Sequence, residues 1–295
     1  MLAQIARFFE DPSVTDVSVG PTTLAVRQLG SWRQQDSAQL DWLLKLDLEE
    51  FCIDLVERCG GRLDFRVPLA TVVSGDFRAH AVLGSAISGA TALTVRRLGS
   101  AHPFICVDAD TQIRFARLVN CMDDRGSVLI AGAAGSGKTT LLRSLLANFA
   151  HERVITIEDS AELKLESPNS VSLLSRSANV EGQGEIGMSQ LLAEALRMSP
   201  DRIAVGEVRG AELVTMLDAL NTGHSGAGAT VHSNSLESVS RRLSAIGARA
   251  NISEKTLGLQ VLDAFELVAF VGRDHRIEAL GNFDLVEDRL VVREI

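Results

Sequence analysis

The chain has no tyrosine and two tryptophans, and only 4% of its 295 residues are aromatic. Proteins that grip single-stranded nucleic acid stack bases on aromatic side chains and track the backbone with clustered Lys and Arg. Here the first is scarce and the overall balance is acidic, with a net charge of −9, so nucleic acid is not expected as a partner. Cysteine is also scarce. Cys52, Cys59, Cys106 and Cys121 form no C-x-x-C pair, which argues against a zinc site and against a disulfide framework. Cys52, Cys59 and Cys121 fall in helical patterns and read as small core residues. No apolar run approaches the ~20 residues of a spanning helix, and residues 1–10 are interrupted too soon for a signal peptide. The expectation is a soluble, cytoplasmic chain without direct membrane insertion, held at a membrane only through partner proteins.

What is present is a globular composition, 46% hydrophobic and 23% charged, enough to bury one large core or two medium ones. Residues 1–102 read as a smaller α+β N-terminal domain. Strands are expected at 14–19, 23–27, 79–83 and 92–96. Leu48, Phe51, Cys52, Leu55, Val56 and Cys59 recur at helical spacing, which predicts a helix over 46–59 stopped by Gly60-Gly61. Gly99-Ser100-Ala101-His102-Pro103 marks a boundary. Residues 103–295 then alternate: helix 110–122, strand 127–131, helix 138–149, strand 153–157, helix 187–198, strand 203–208, helix 211–220 and strand 228–232. That alternation predicts an α/β domain with a mostly parallel sheet and helices on both faces.

Gly132-Ala133-Ala134-Gly135-Ser136-Gly137-Lys138-Thr139 fits G-x-x-x-x-G-K-[ST], with a strand before it and a helix after it. Glycines let the backbone curl so that successive N–H groups face phosphate oxygens, and the helix that follows presents its positive end. Residues 132–140, Thr140 included, are the candidate ATP-binding segment. Lys138 is expected at the β/γ phosphates, and the Thr139 hydroxyl on Mg²⁺. Two apolar strands end in acids, 154–157 before Glu158-Asp159 and Glu162, and 203–206 before Glu207. Carboxylates at that edge of a parallel sheet hold Mg²⁺ or orient a water molecule, so Glu158 and Glu207 join Thr139 as metal candidates. Taken alone, 158–162 also fits a solvated acidic loop. His232 ends an expected strand and is a candidate sensor of the terminal phosphate; His224 is a further candidate.

In order and spacing, the Walker A segment at 132–139, the acid box at 157–162, Glu207 in Val-Gly-Glu-Val-Arg-Gly and the histidine box ending at His232 resemble the secretion ATPases of the type II/type IV pilus and secretion superfamily. Residues 177–182, 196–202 and 220–224 resemble its tight-adherence (Tad/Flp) pilus branch, related to the conjugation ATPases. The likeness runs from about Asp11 to the C-terminus, dense over 127–235 and loose before 90. It implies a RecA-like P-loop ATPase domain, Mg–ATP as substrate, and a hexameric ring with nucleotide between the two domains. It also implies inner-membrane platform proteins as partners. The resemblance makes Glu162 the residue that activates water, and Glu207 a carboxylate on the Mg²⁺ side. It has N-terminal arginines reach the nucleotide, Arg96 by motif position and Arg78 second. As an exposed arginine, Arg96 is expected to matter more for turnover than for folding. The chain lacks the long N-terminal extension of many Tad ATPases and the four-cysteine module of type II secretion ATPases. The implied work is pilus assembly or secretion. Alternatives are a nucleic-acid translocase on the same core and a nucleotide-binding scaffold without turnover.

Overall fold

The computed structural model describes residues 2–11, 13–28, 31–36, 41–98, 103–176, 178 and 183–295. The boundary residues 99–102 and most of the 177–182 segment lie outside the described residues. The chain divides into two compact units, Met1–Leu98 and Gly99–Ile295.

The first unit contains α1 (Leu2–Phe8), β1 (Val14–Val19), β2 (Leu24–Gln28), β3 (Ser31–Gln34), α2 (Asp41–Leu44), α3 (Leu48–Arg58), β4 (Leu69–Ser74), β5 (Phe77–Val82) and β6 (Ala92–Arg97). The strands form an antiparallel sheet in the order β3-β2-β1-β6-β5-β4. Alternation along the strands sends Val17, Val19, Ala79, Ala81, Leu93 and Val95 into one core with Cys52, Leu55 and Val56 of α3. Asp47 caps α3 by accepting the Glu50 N–H at 3.0 Å. The opposite face carries Asp16, Arg96 and Arg78 side by side across β1, β6 and β5. The sequence gives no sign of β3 or β4: β3 is exposed throughout and β4 buries only Val72, so neither shows a period-2 pattern.

The second unit contains α4 (Ala109–Asp123), β7 (Val128–Gly132), α5 (Lys138–Leu146), β8 (Val154–Glu158), β9 (Ser170–Leu174), α6 (Met188–Ala195) and β10 (Arg202–Val205). There follow α7 (Glu212–Leu220), β11 (Gly228–His232), α8 (Ser238–Arg249), α9 (Glu254–Ala264), β12 (Leu267–Val271), β13 (Ile277–Val286) and β14 (Arg289–Glu294). The sheet order is β14-β13-β12-β7-β11-β10-β8-β9. From β12 to β9 every neighbour is parallel; β13 and β14 extend the sheet antiparallel. The central strands are buried on both faces. Val128 and Ile130 pack with Leu141, Leu142 and Leu145 of α5, whereas Leu129 and Ala131 join the core of α6 to α9. The helices expected to reach 149 and 198 end earlier, each closing in a 3₁₀ turn, at Ala147–Phe149 and Leu196–Met198. Beyond His232 no element is expected from the sequence, yet α8, α9 and β12 to β14 complete the core. Among the described residues no helix is long and apolar enough to cross a membrane.

Segment 196–202 does structural work. Ser199 takes a left-handed φ of 53, and Asp201 Oδ2 accepts the Arg153 N–H at 2.7 Å. Arg202 is fully buried. Its guanidinium makes bonds of 2.8 and 3.1 Å to Glu152, donates to the carbonyls of Met122 and Gly226, and lies 3.6 Å from the Phe149 ring centroid. Removing one partner of a buried pair strands the other charge. Arg202→Met should therefore lower the unfolding free energy by roughly 3–5 kcal/mol in a urea titration. Arg125→Ala, which removes a more exposed contact to the same Glu152, should cost less than about 1 kcal/mol.

Candidate nucleotide site

All the parallel strands end at one edge of the sheet, and the site is built there. β7 runs into the loop at 132–137, where Gly135 and Gly137 have φ of 75 and 95. A Cβ on Gly132 would meet the Val271 carbonyl oxygen at 2.5 Å and Ser136 Oγ at 2.6 Å, so only glycine allows this turn. Ser136 Oγ is buried without a hydrogen-bond partner. Lys138 opens α5 and is 6% exposed; its Nζ donates to the Ala133 carbonyl at 2.8 Å. Burial pushes this amine down to about 8, although Glu207 and Glu162 pull the other way. A curled loop of this kind, a cation tucked beneath it and an unpartnered hydroxyl fit a bound phosphate chain.

Thr139 Oγ1 donates to Glu162 Oε2 at 3.3 Å, so the candidate Mg²⁺ hydroxyl and the candidate water-activating carboxylate are neighbours. Glu207 lies just past β10. The strand pairing ends at Val205, but Gly206 N–H still donates to Ile157 O at 2.9 Å and Val208 N–H to Thr230 O at 2.8 Å, which fixes Glu207 at the edge. His232 bridges the two sides: Nδ1 is 3.4 Å from Lys138 Nζ, and Nε2 is 3.1 Å from Glu207 Oε1. An ammonium group only donates, so Nδ1 accepts and Nε2 carries the proton. Burial alone would raise the Glu207 carboxyl. The bidentate bonds from Arg209, at 2.6 and 2.7 Å, together with the His232 bond, outweigh it and hold the group down at about 2. Arg209 also reaches Asp159 Oδ2 at 3.2 Å. Lys138, His232, Glu207, Arg209 and Asp159 thus form one chain of contacts. The sequence gives no role to Arg209 and marks Asp159 only as one acid of the 158–162 box, because neither spacing nor residue type reveals a cross-strand partner.

Glu158 has a different place from the one expected for a metal ligand. It is 2% exposed, and its Oε1 accepts the N–H groups of Glu162 at 3.1 Å and Leu163 at 3.0 Å. Its carboxylate therefore pins the loop that carries Glu162. His224 is likewise displaced: it precedes β11, at the edge of the sheet opposite the phosphate loop, with Nδ1 buried and unpartnered. Arg78 and Arg96 stand in the N-terminal unit on β5 and β6, directly opposite one another. Arg96 Nε bonds Asp16 Oδ1 at 2.6 Å, and Asp16 is 3% exposed. Arg96 keeps an exposed side chain, as expected, but its Nε is tied to a buried carboxylate, which gives it a part in folding that the sequence does not reveal. Among the described residues Arg78 has no ion-pair partner.

A P-loop on a sheet in which one strand, β11, separates the loop strand from the Glu207 strand defines a RecA-like P-loop nucleotide-binding domain, preceded by a smaller α+β domain. Comparison with known proteins agrees. The family described as type II/IV secretion system protein matches residues 71–273, and the chain belongs to that family. A Mycobacterium tuberculosis (strain H37Rv) protein provisionally named for conjugal transfer is 40% identical over 227 residues, covering 73% of this chain and 64% of its own. The conjugal transfer protein TrbB of Rhizobium radiobacter is 32% identical over 207 residues, covering 68% and 61%. The chain thus spans somewhat under two thirds of the length of these relatives. The X-ray structure of the Yersinia pseudotuberculosis ATPase DotB shares the fold at a TM-score of 0.61 and 17% identity, over 99% of this chain and 77% of that one.

Burial pushes the Glu158 carboxyl up to about 7, against the pull of the two amides. A folded-state value above the unfolded 4.5 means stability that is full below about 4.5 and lost as pH rises through 7. Wild type should therefore lose up to about 3 kcal/mol of unfolding free energy between pH 4.5 and 7.5, at ~1.4 kcal/mol per unit, relative to Glu158→Gln. Urea titrations of both proteins across that range measure the difference; parallel pH profiles would refute it.

Proposed function

We propose that the chain is an Mg–ATP hydrolase that drives a type IV-like secretion or pilus machine. The observation that carries this reading is the convergence of Lys138, Thr139, Glu162, Glu207 and His232 on one sheet edge around the curled loop. The loop segment 132–140 would cradle the phosphates, and Lys138 would neutralise the β/γ oxygens. Bound Mg²⁺ would supply positive charge to the phosphate oxygens, with the Thr139 hydroxyl and the Glu207 carboxylate as the residues that hold it. Glu162, aimed at Thr139 by the Glu158-pinned loop, orients the attacking water and receives its proton. His232, touching both Lys138 and Glu207, reports the state of the phosphate end to the Glu207–Arg209 pair. Glu158 supports the loop through Oε1.

The family resemblance implies that an N-terminal arginine would reach the nucleotide, and Arg78 is the stronger candidate because Asp16 does not neutralise it. A site finished by a second domain or a neighbour suits a homo-oligomer, most simply a hexamer, that couples hydrolysis to motion. Its place is the cytoplasmic face of an inner membrane, on platform proteins. The relatives named for conjugal transfer support secretion. Within that family, the likeness of segments 196–202 and 220–224 to the Tad/Flp branch supports a pilus machine.

Phosphate release by the purified chain with Mg–ATP tests the reading. Lys138→Ala should abolish turnover, and retained turnover would sink it. Glu162→Gln should still bind ATP while hydrolysing at least ~100-fold more slowly. Mutation of the two arginines should give different results. Arg78→Ala should lower turnover by about 100-fold or more with an unchanged melting temperature. Arg96→Ala should lower the melting temperature as well, since it strands Asp16. A chain that stays monomeric with ATP, at constant rate per chain over all concentrations, would rule out the ring.

A further inference from the structure

The phosphate loop is held on two flanks. One is the His232–Glu207 side. The other is the turn at 272–276 between β12 and β13, which no motif marks. There His275, at a left-handed φ of 63, places Nδ1 3.0 Å from the Ser136 carbonyl oxygen. A carbonyl only accepts, so Nδ1 carries the proton. The ring also lies against Gly137: a Cβ there would sit 3.0 Å from Nδ1. The turn is itself fixed. Gly272 N–H donates to Arg276 O at 3.0 Å, and His275 N–H to Gly272 O at 3.2 Å. Arg276 reaches Asp108 Oδ2 at 3.3 Å, and Asp108 caps α4 by accepting the Thr111 N–H at 2.6 Å. Arg114 of α4 donates to Ile277 O at 3.0 Å.

The peptide between Ser136 and Gly137 is planar, so its C=O and N–H point to opposite sides. Holding the carbonyl toward His275 therefore fixes the direction of the Gly137 N–H. Without such a hold this peptide is prone to rotate, because Gly137, at φ 95, has no side chain to resist. We propose that His275 is a positioning residue of the phosphate loop: its Nδ1–H latches the Ser136 carbonyl and presents the Gly137 amide to phosphate, with the Arg276–Asp108 pair bracing the turn. This rests on the reading of the loop as a nucleotide site.

The test uses the full chain with His275→Ala, His275→Asn and His275→Gln. An asparagine amide can stand in for the Nδ1 donor, whereas a glutamine amide falls near the Nε2 position. Two readouts are taken: affinity for the fluorescent probe N-methylanthraniloyl-ADP with Mg²⁺, and hydrogen–deuterium exchange of the 132–140 segment without nucleotide. His275 is exposed, so melting temperatures should agree within a few degrees. His275→Ala and His275→Gln should weaken the probe roughly 5–10-fold, the loss of one hydrogen bond, and speed exchange in the loop of the nucleotide-free chain. His275→Asn should restore both to within about twofold. If wild type binds the probe and His275→Ala matches it in affinity and exchange, the latch is wrong. If His275→Asn is as poor as His275→Ala, the Nδ1 donor is not what matters. If wild type fails to bind the probe, the nucleotide reading fails and the His275 role falls with it, even where exchange at the loop responds to the substitution.

Discussion

In the middle of the larger sheet, Gly132 of β7 stands opposite His232 of β11 on one side and Val271 of β12 on the other. The rest of the site depends on that register. It brings His232 within reach of Lys138, one residue past the loop, and sets the turn after β12 against Gly137. A slip of one residue would turn every side chain of β11 to the other face, taking His232 away from Lys138 and Thr230 away from Gly206. The register is held because β7 and its neighbours are buried on both faces, so a slipped strand would trade well-packed aliphatic contacts for voids.

Around this frame the charges alternate. Lys138, Glu207, Arg209 and Asp159 follow one another, with His232 seated between the first two. Each charge that burial penalises has an opposite charge or a hydrogen-bond partner beside it, which is how a partly desolvated site tolerates so many ionisable groups. The balance is uneven: the Arg209 and His232 bonds hold Glu207 well below the usual carboxylate range, while burial lowers the Lys138 amine.

The N-terminal unit repeats this logic on a smaller scale. Asp16, buried on β1, is satisfied by Arg96 and by the Thr15 hydroxyl at 2.8 Å. Arg78 beside it on β5 is left without an ion pair among the described residues. The two neighbouring arginines therefore differ: Arg96 is tied to a buried carboxylate, and Arg78 has no ion pair among the described residues.

Much of the larger unit was legible in the chain itself. The strand–loop–helix from Val128 to Leu146 follows from a fully apolar strand, a glycine-rich turn and a helical leucine pattern. Glu207 and His232 stand where apolar strands end in polar residues, whereas Glu162 lies in the loop past β8 and its role is implied only by the family resemblance. Local composition suffices there because a doubly buried parallel strand has no polar face and its functional residue can only stand at its end. The C-terminal third escaped, since β12 is paired to a strand far away in sequence and β13 and β14 alternate imperfectly. The partners escaped for the same reason. That Glu158 turns inward to two amides, that Asp16 claims Arg96, and that His275 reaches the Ser136 carbonyl are consequences of which segments become neighbours. Side-chain periods of 2 and 3.6 encode which face is buried, but not what lies across from it. Sequence determined the nucleotide loop and the acids at the strand ends; only the tertiary structure decided which of those charged groups face solvent, which brace the backbone and which meet at the site.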